Sequence, residues 1–148
     1  MYQYVCQLLM IAAPWLSLAE IQIQARDIST VTGNDAEKAK MLVTTGAIET
    51  GFKERYTRCD CEPRECDDGA AISVYQLHSY WWGVNSRESI CSSNLLATRI
   101  AAQALSFLRS RAGAKEALRI YVGRNVSVSN PRIKARWELW EKLSSLTM

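Results

Sequence analysis

The pattern of apolar and polar positions along the chain predicts a succession of helices. The clearest begins at a capping box over Asn34-Asp35-Ala36-Glu37, ends at Gly51 and buries one face. Its apolar positions recur at steps of three and four residues, the period of an amphipathic helix. They are Ala36, Ala39, Val43 and Ala47.

Three further helical segments follow from the same reasoning. A helix over 5–28 is predicted to break near Pro14, because proline lacks an N–H donor and clashes with the preceding turn. Residues 94–111 carry an apolar stripe that ends at Gly113, and 114–121 form a short helix.

A last helix is predicted to begin with Asn130 as its N-cap and Pro131 at its first position. Four residues spaced three or four positions apart would lie on one side of this helix, which is expected to pack against the body of the protein. They are Ile133, Trp137, Trp140 and Ser144. This helix is therefore expected to dock two tryptophans.

The remaining segments predict little regular structure. Residues 71–82 mix β-branched and aromatic side chains, which favours a short hairpin, whereas 53–69 is a charged, cysteine-bearing loop without periodicity. The expected fold class is mainly α (α+β), with a small β element. At 148 residues the chain is long enough for one core, so residues 1–148 are interpreted as a single domain.

Composition narrows the class of protein. Apolar residues make up 48% and charged residues 22%, a globular balance, and nothing approaches the roughly 18 apolar residues of a membrane helix. The net charge is +3, but residues 109–142 hold nine Lys and Arg against three Glu. That segment suits an anionic polymer, either a cell wall or a nucleic acid, and equally an ordinary solvated basic face.

Five cysteines are many for a reducing cytosol. Cys59, Cys61 and Cys66 share one short loop, and Cys91 lies just before a helix. Their spacing departs from the usual zinc knuckle, so disulfides are favoured over zinc or free thiols, and they imply an oxidising destination. Cys6 is left over and is expected to be buried as a small apolar residue.

The N-terminal segment allows two interpretations. Residues 8–19 are apolar, and Ser17-Leu18-Ala19 has the form of a signal-peptidase site. No Lys or Arg precedes this segment, and Pro14 interrupts it. A core helix is therefore favoured over a signal peptide.

Four short motifs follow one another in a recognisable order. They are Glu49 within Ala47-Ile48-Glu49-Thr50-Gly51-Phe52, then Val74-Tyr75-Gln76-Leu77, then Asn94-Leu95-Leu96, and finally Ala117-Leu118-Arg119-Ile120-Tyr121-Val122-Gly123. This order resembles the lytic transglycosylase branch of the lysozyme superfamily over roughly 35–121. The resemblance implies a lysozyme-like helical domain that cleaves the β-1,4 MurNAc–GlcNAc bonds of peptidoglycan.

The resemblance also assigns roles to individual residues. Glu49 would be the sole acid/base, and the substrate's own N-acetyl group would replace an enzymic nucleophile. Substrate-binding roles fall on Gln76, Asn94 and Tyr121, and on Ser73 as a small polar substitute for the family serine. Tyr80 is expected to bind substrate for a separate reason, because its flat apolar ring can stack on a sugar face. No cofactor and no metal are implied. The chain departs from the family pattern at three positions: Ala71 stands for a serine, Ser73 for a glycine and Val122 for an asparagine.

Alternatives stay open. A hydrolytic lysozyme would take a second carboxylate from the acidic residues of 60–68. A lysozyme-like interaction protein without activity is favoured by the departures at Ala71 and Val122. In its small size and its expected disulfides, the chain resembles phage-encoded, virion-associated muralytic enzymes, which act in the periplasm. Peptidoglycan strands and other virion proteins are thus the expected partners, and a nucleic acid is not.

Overall fold

A computed structural model of the chain describes residues 1–62, 64, 66, 69–123 and 125–148. Of the residues considered above, Glu65, Asp67, Asp68 and Arg124 lie outside these ranges. The described helices are α1 Tyr2–Ala12, α2 Leu18–Thr32, α3 Ala36–Glu49, α4 Glu54–Thr57, α5 Arg87–Cys91, α6 Asn94–Ala112, α7 Ala114–Val122 and α8 Pro131–Ser144.

The β element is a single antiparallel pair. Strand β1, Ala71–Ile72, pairs with β2, Leu77–His78, and a 3-10 turn over Ser79–Trp81 follows. The predicted class, mainly α with a small β element, is confirmed. The segment 53–69, predicted as a loop, also contains the short helix α4. This helix was not predicted because its sequence shows no helical periodicity.

The predicted break in the first helical segment is confirmed and separates α1 from α2. Helix α2 begins at a capping box that the pattern did not single out. There the Ser17 hydroxyl accepts the Glu20 N–H at 3.2 Å, and the Glu20 carboxylate accepts the Ser17 N–H at 3.0 Å. Gly33, with φ of 58°, ends this helix.

Helix α3 is the central element of the fold, since it packs against α1, α2, α6, α7 and α8. Its start was predicted one residue too early. Asp35, not Asn34, is the N-cap and accepts the Lys38 N–H at 2.9 Å. Glu37 does not complete a capping box, because the residue three positions after Asp35 is Lys38. The Glu37 carboxylate instead pairs with Arg109 of α6 at 3.2 Å.

The buried face of α8 differs from the predicted one. Its buried residues are Ile133, Arg136, Trp140 and Leu143. Trp137 is only half-buried, and its indole donates to the Lys115 carbonyl at 2.8 Å. The helix is thus rotated about its axis so that Arg136 turns inward, toward the end of α3.

The basic segment is not a continuous cationic face. Of the eight cations of this segment that the structure describes, six form ion pairs with acidic residues within the fold: Arg109, Lys115, Arg119, Arg132, Lys134 and Arg136. Within the described ranges, no helix is both long and apolar enough to cross a membrane.

Candidate functional site

The site is built on the end of helix α3. Glu49 is its last residue, and the Thr50 hydroxyl donates to the Val74 carbonyl at 2.8 Å. Gly51 and Phe52 then adopt positive φ angles of 67° and 56°. This turn sends the chain back over the helix, and the ring of Phe52 comes to lie directly on Gly46.

The β-hairpin packs on this turn. Tyr75, at the hairpin tip, is fully buried, and its ring meets that of Phe52 edge-on at 5.9 Å. Ser73 and Gln76, with φ of 69° and 50°, close the tip in left-handed conformations. The hairpin is thereby held against the end of α3, and one of its sides faces Glu49.

Two arginines of α8 reach the Glu49 carboxylate. The Arg136 guanidinium bonds Oε1, and Arg132 lies 3.6 Å from Oε2. The side chains of Glu49 and Arg136 are only 8% and 1% exposed, whereas Arg132 is 60% exposed. Burial lowers the pKa of Arg136, and the negative charge of Glu49 opposes that shift. Glu49 is the partner that keeps a buried guanidinium charged.

Tyr121, in the last turn of α7, links the hairpin to the carboxylate. Its hydroxyl donates to the Tyr75 carbonyl at 2.7 Å. Burial raises the pKa of Tyr121 well above its ordinary value, and the negative charge of Glu49 raises it further. Tyr121 is therefore a neutral hydrogen-bond donor, with its proton directed at the hairpin backbone.

These elements enclose a cleft of about 360 Å³ with Glu49 in its lining. The other residues that line it are Ala71, Gln76, His78, Tyr121, Val122 and Arg132. Three predicted site residues, Glu49, Gln76 and Tyr121, are thus brought together. Glu49 is the only carboxylate among the described residues of this lining.

Three other predicted substrate-binding residues are not part of this cleft lining. Ser73 is buried, and its hydroxyl accepts the Tyr75 N–H at 3.2 Å, so it stabilises the turn instead. Tyr80 stands on the surface, 75% exposed, beyond the end of β2. Asn94 lies between α2 and α6, where its amide donates to Asp27 at 2.7 Å. Ser93, not Asn94, caps α6.

Two disulfides support the hairpin side of the cleft. Cys59 is bonded to Cys91 and Cys61 to Cys66, which confirms the predicted staples and supplies their connectivity. The Gln76 amide lies 3.6 Å from the Cys66 sulfur and donates to the Ser73 carbonyl at 3.0 Å. Cys6 is a free thiol and is half-buried, less enclosed than expected. Disulfides of this kind are compatible with an extracytoplasmic location.

Sequence reasoning missed Arg136, Arg132 and His78. Arginine is seldom buried without a partner, and the partner of Arg136 lies far along the chain on another helix. A signal did exist, because Arg136 shares the three-and-four-residue spacing of Ile133, Trp140 and Leu143. His78 was noted only as the sole histidine, yet it is the last residue of β2 and lines the same cleft as Gln76.

Comparisons with protein-family models, with curated proteins and with solved structures give no match for this chain.

Proposed function

We propose that the chain is a peptidoglycan-cleaving enzyme of the lysozyme-like type, acting as a lytic transglycosylase with Glu49 as its acid/base. The observation that carries the proposal is the position of Glu49. It is an almost fully buried carboxylate at a helix end, in the lining of a polar cleft formed by a hairpin and two other helices. That is an arrangement in which one carboxyl group can move a proton at a bound polymer.

The proposed reaction uses Glu49 twice. Its carboxyl proton passes to the glycosidic oxygen, the C1–O bond of MurNAc breaks, and the substrate's N-acetyl oxygen occupies C1. The Glu49 carboxylate then takes the proton of the 6-hydroxyl as that oxygen bonds to C1. A 1,6-anhydro ring forms, the acetamido group is released, and Glu49 is again protonated. No water is consumed, and all atoms are accounted for.

The arginines affect the two halves of this cycle in opposite ways. A cationic neighbour favours the charged form of a carboxyl group. Arg136 and Arg132 therefore stabilise the carboxylate left after the first proton transfer. They also reduce the fraction of Glu49 that is protonated at neutral pH. We therefore expect cleavage to be faster in mildly acid solution than at neutral pH.

The polar groups opposite Glu49 suit an N-acetylated sugar. The Gln76 amide can both donate to and accept from an acetamido group, and His78 stands two residues further along the hairpin. Arg132, largely exposed at the edge of the cleft, can pair with the lactyl or peptide carboxylates of murein. The lining offers Glu49 as its one described carboxylate, which favours a single-carboxylate reaction over a lysozyme-type hydrolysis.

The test is digestion of purified murein, followed by mass spectrometry of the soluble fragments. Wild type is expected to release anhydro-muropeptides, which lie one water lighter than hydrolysed ones. Glu49→Gln is expected to lower the rate by at least about a hundredfold, since it removes the transferable proton. Glu138→Gln on the exposed side of α8 is the matched control and should keep wild-type activity.

Glu49→Gln also deprives Arg136 of its partner, so loss of activity must be separated from loss of structure. The double variant Glu49→Gln/Arg136→Met removes both buried charges and should recover stability while staying inactive. A double variant that regained cleavage would refute Glu49 as the acid/base. Hydrolysed products alone would make the enzyme a lysozyme and direct attention to the acidic residues of 60–68.

A second candidate is a peptidoglycan-binding protein without activity. The observation that favours it is the Arg136 ion pair, because a carboxylate held ionised by a buried guanidinium is a poor proton donor at neutral pH. Wild type that binds murein yet releases no fragments between pH 4 and 8 would establish this function instead.

A further inference from the structure

Another cavity lies where helices α2, α3 and α6 meet, and it shares no described lining residue with the Glu49 cleft. Its volume is about 480 Å³, within the range of small-molecule sites, which is roughly 300–1,000 Å³. The described residues that line it include two cations and no carboxylate. They are Thr30, Val31, Lys38, Arg99, Ala102, Gln103 and Ser106.

The polar side of this cavity comes from one face of α6. Arg99, Gln103 and Ser106 follow one another at steps of four and three residues, so they lie on the same side of the helix. Arg99 and Gln103 are exposed. Within the described part of the chain, no acidic group contacts the Arg99 guanidinium, which is therefore available to a ligand.

Ser106 carries a hydroxyl group that has no use inside the fold. Its oxygen is buried and has no hydrogen-bond partner among the residues that the structure describes. The other two hydroxyl side chains of α6 bond to their own helix. Thr98 donates to the Asn94 carbonyl at 2.7 Å, and Ser110 donates to the Phe107 carbonyl at 2.8 Å. Buried polar groups without a bond are rare, and a ligand in this cavity can supply the missing one.

The positive charge of the cavity is only partly offset within the fold. The Lys38 ammonium lies 4.0 Å from Asp35 Oδ2, at the limit of an ion pair. Asp35 itself is bonded by Arg109 at 2.6 and 3.0 Å. Lys38 and Arg99 thus remain to attract an anion, and both can donate charge-assisted hydrogen bonds to its oxygens.

We propose that this cavity binds a phosphate group, free or carried by a small organic molecule. Arg99 can donate two parallel N–H bonds to phosphate oxygens, and Lys38 adds a second positive charge. The Ser106 hydroxyl and the Gln103 amide can donate to the remaining oxygens. A phosphate group offers more acceptor oxygens than a carboxylate does, so it matches these four donors better. Val31 gives an apolar surface to an organic group attached to the phosphate.

The test is titration of the full chain with inorganic phosphate, with glycerol phosphate and with acetate, at constant ionic strength. Binding is followed by changes in the NMR spectrum of the protein. Both phosphates should bind saturably, and acetate should bind far more weakly. Tighter binding of glycerol phosphate would identify an organic phosphate as the ligand, whereas equal binding would identify the free ion, and both results support the site.

Two variants, each with a matched control, locate the binding. Arg99→Met should weaken phosphate binding by at least about tenfold, whereas Arg58→Met, which removes an exposed cation of α4, should leave it unchanged. Ser106→Ala should weaken binding by about fivefold, and Ser110→Ala should not. Ser106→Ala should also leave thermal stability unchanged or raise it, because its hydroxyl has no bond to lose.

The proposal is overturned if neither phosphate shows saturable binding up to about 10 mM. Acetate that bound as tightly as phosphate would overturn it too. Equal weakening by Arg99→Met and Arg58→Met would show a general effect of net charge and would exclude a site. Full phosphate affinity in both Arg99→Met and Ser106→Ala would place the binding elsewhere on the protein.

Discussion

Glu49 and Arg136 form an ion pair that is almost wholly removed from water, between the end of helix α3 and the middle of α8. The two residues are 87 positions apart in the chain. Removing a charge from water costs several kcal/mol, so each of these buried charges is stabilised by the other. The pair is at once the centre of the proposed site and a structural connection between two helices.

Removing one member of the pair is expected to destabilise the fold more than removing both. Arg136→Met takes the buried guanidinium away from the Glu49 carboxylate, and should lower the free energy of unfolding by about 3 kcal/mol. Glu49→Gln should cost a similar amount. The free energy of unfolding of the double variant should be at least about 2 kcal/mol higher than the sum of the two single effects predicts, and urea unfolding measures it.

Arg132→Met provides the contrast, since exposed ion pairs contribute little. We expect a change below about 0.5 kcal/mol in the free energy of unfolding. Strictly additive effects of Glu49→Gln and Arg136→Met would show that the two side chains do not interact, and would contradict the geometry of the site.

Gly46 is required by the ring of Phe52, which lies where a Cβ atom at position 46 would be. Gly46→Ala should destabilise the protein by about 2 kcal/mol, although alanine is the better helix former by about 1 kcal/mol. The backbone of Phe52 is held in its turn, so the ring has little room to withdraw. Thermal or urea unfolding of the variant measures the loss.

A second substitution tests the cause. In a Phe52→Leu background the ring is gone, and Gly46→Ala should become neutral or stabilising. A loss of the same size in both backgrounds would mean that the aromatic contact is not what requires glycine at position 46.

The sequence predicted the helices well because each has a local signal. Pro14 marked the break between α1 and α2, and Asn130 with Pro131 marked the start of α8. Boundaries were less exact where two groups compete for one side chain. Asp35 both caps α3 and pairs with Arg109. Asn34 and Asp35 are both good N-cap residues, so the local pattern alone does not show which of them caps the helix.

The site was predicted in part, for a similar reason. Glu49, Gln76 and Tyr121 were found through short motifs that keep their order along the chain. Arg136 was not, because a buried charge depends on a distant partner and looks like a surface residue in any local window. The face that a helix buries is set by such pairings as well as by apolar residues.

The ion pair between Asp35 and Arg109 makes stability depend on pH. Hydrogen bonds from Arg109, at 2.6 and 3.0 Å, lower the pKa of Asp35 from 3.8 to about 2. A carboxyl pKa that is lower in the folded state stabilises that state above the unfolded pKa. The contribution is therefore full above about pH 5 and is lost as pH falls through about 2.

Asp35→Asn isolates the charge, since asparagine caps helices as well as aspartate does. At pH 7 the variant should be about 1–2 kcal/mol less stable to urea than wild type, allowing for partial solvent screening. The difference should shrink below pH 4 and be small by pH 2. Glu54→Gln, in an exposed pair with Arg58, should show little difference at any pH, and a gap for Asp35→Asn that kept its full size down to pH 2 would exclude the charge as its cause.

The two disulfides should differ in their contribution to stability because they close loops of different length. Cys59 and Cys91 are separated by 32 residues, and Cys61 and Cys66 by 5. A disulfide lowers the entropy of the unfolded chain, and this effect should stabilise the folded state by about 3.5 kcal/mol for the longer loop and about 2 kcal/mol for the shorter one. Replacing Cys59 and Cys91 together by alanine should thus be the more destabilising change.

The shorter disulfide has a different expected effect, because Cys66 lies beside the Gln76 amide in the cleft wall. Replacing Cys61 and Cys66 by alanine should cost less stability yet raise KM for murein, since Gln76 loses a neighbour that fixes its side chain. Urea unfolding and steady-state cleavage of murein, measured on both double variants, decide this. If the Cys59 and Cys91 pair proved the less stabilising of the two, loop length would not be the property that sets their contributions.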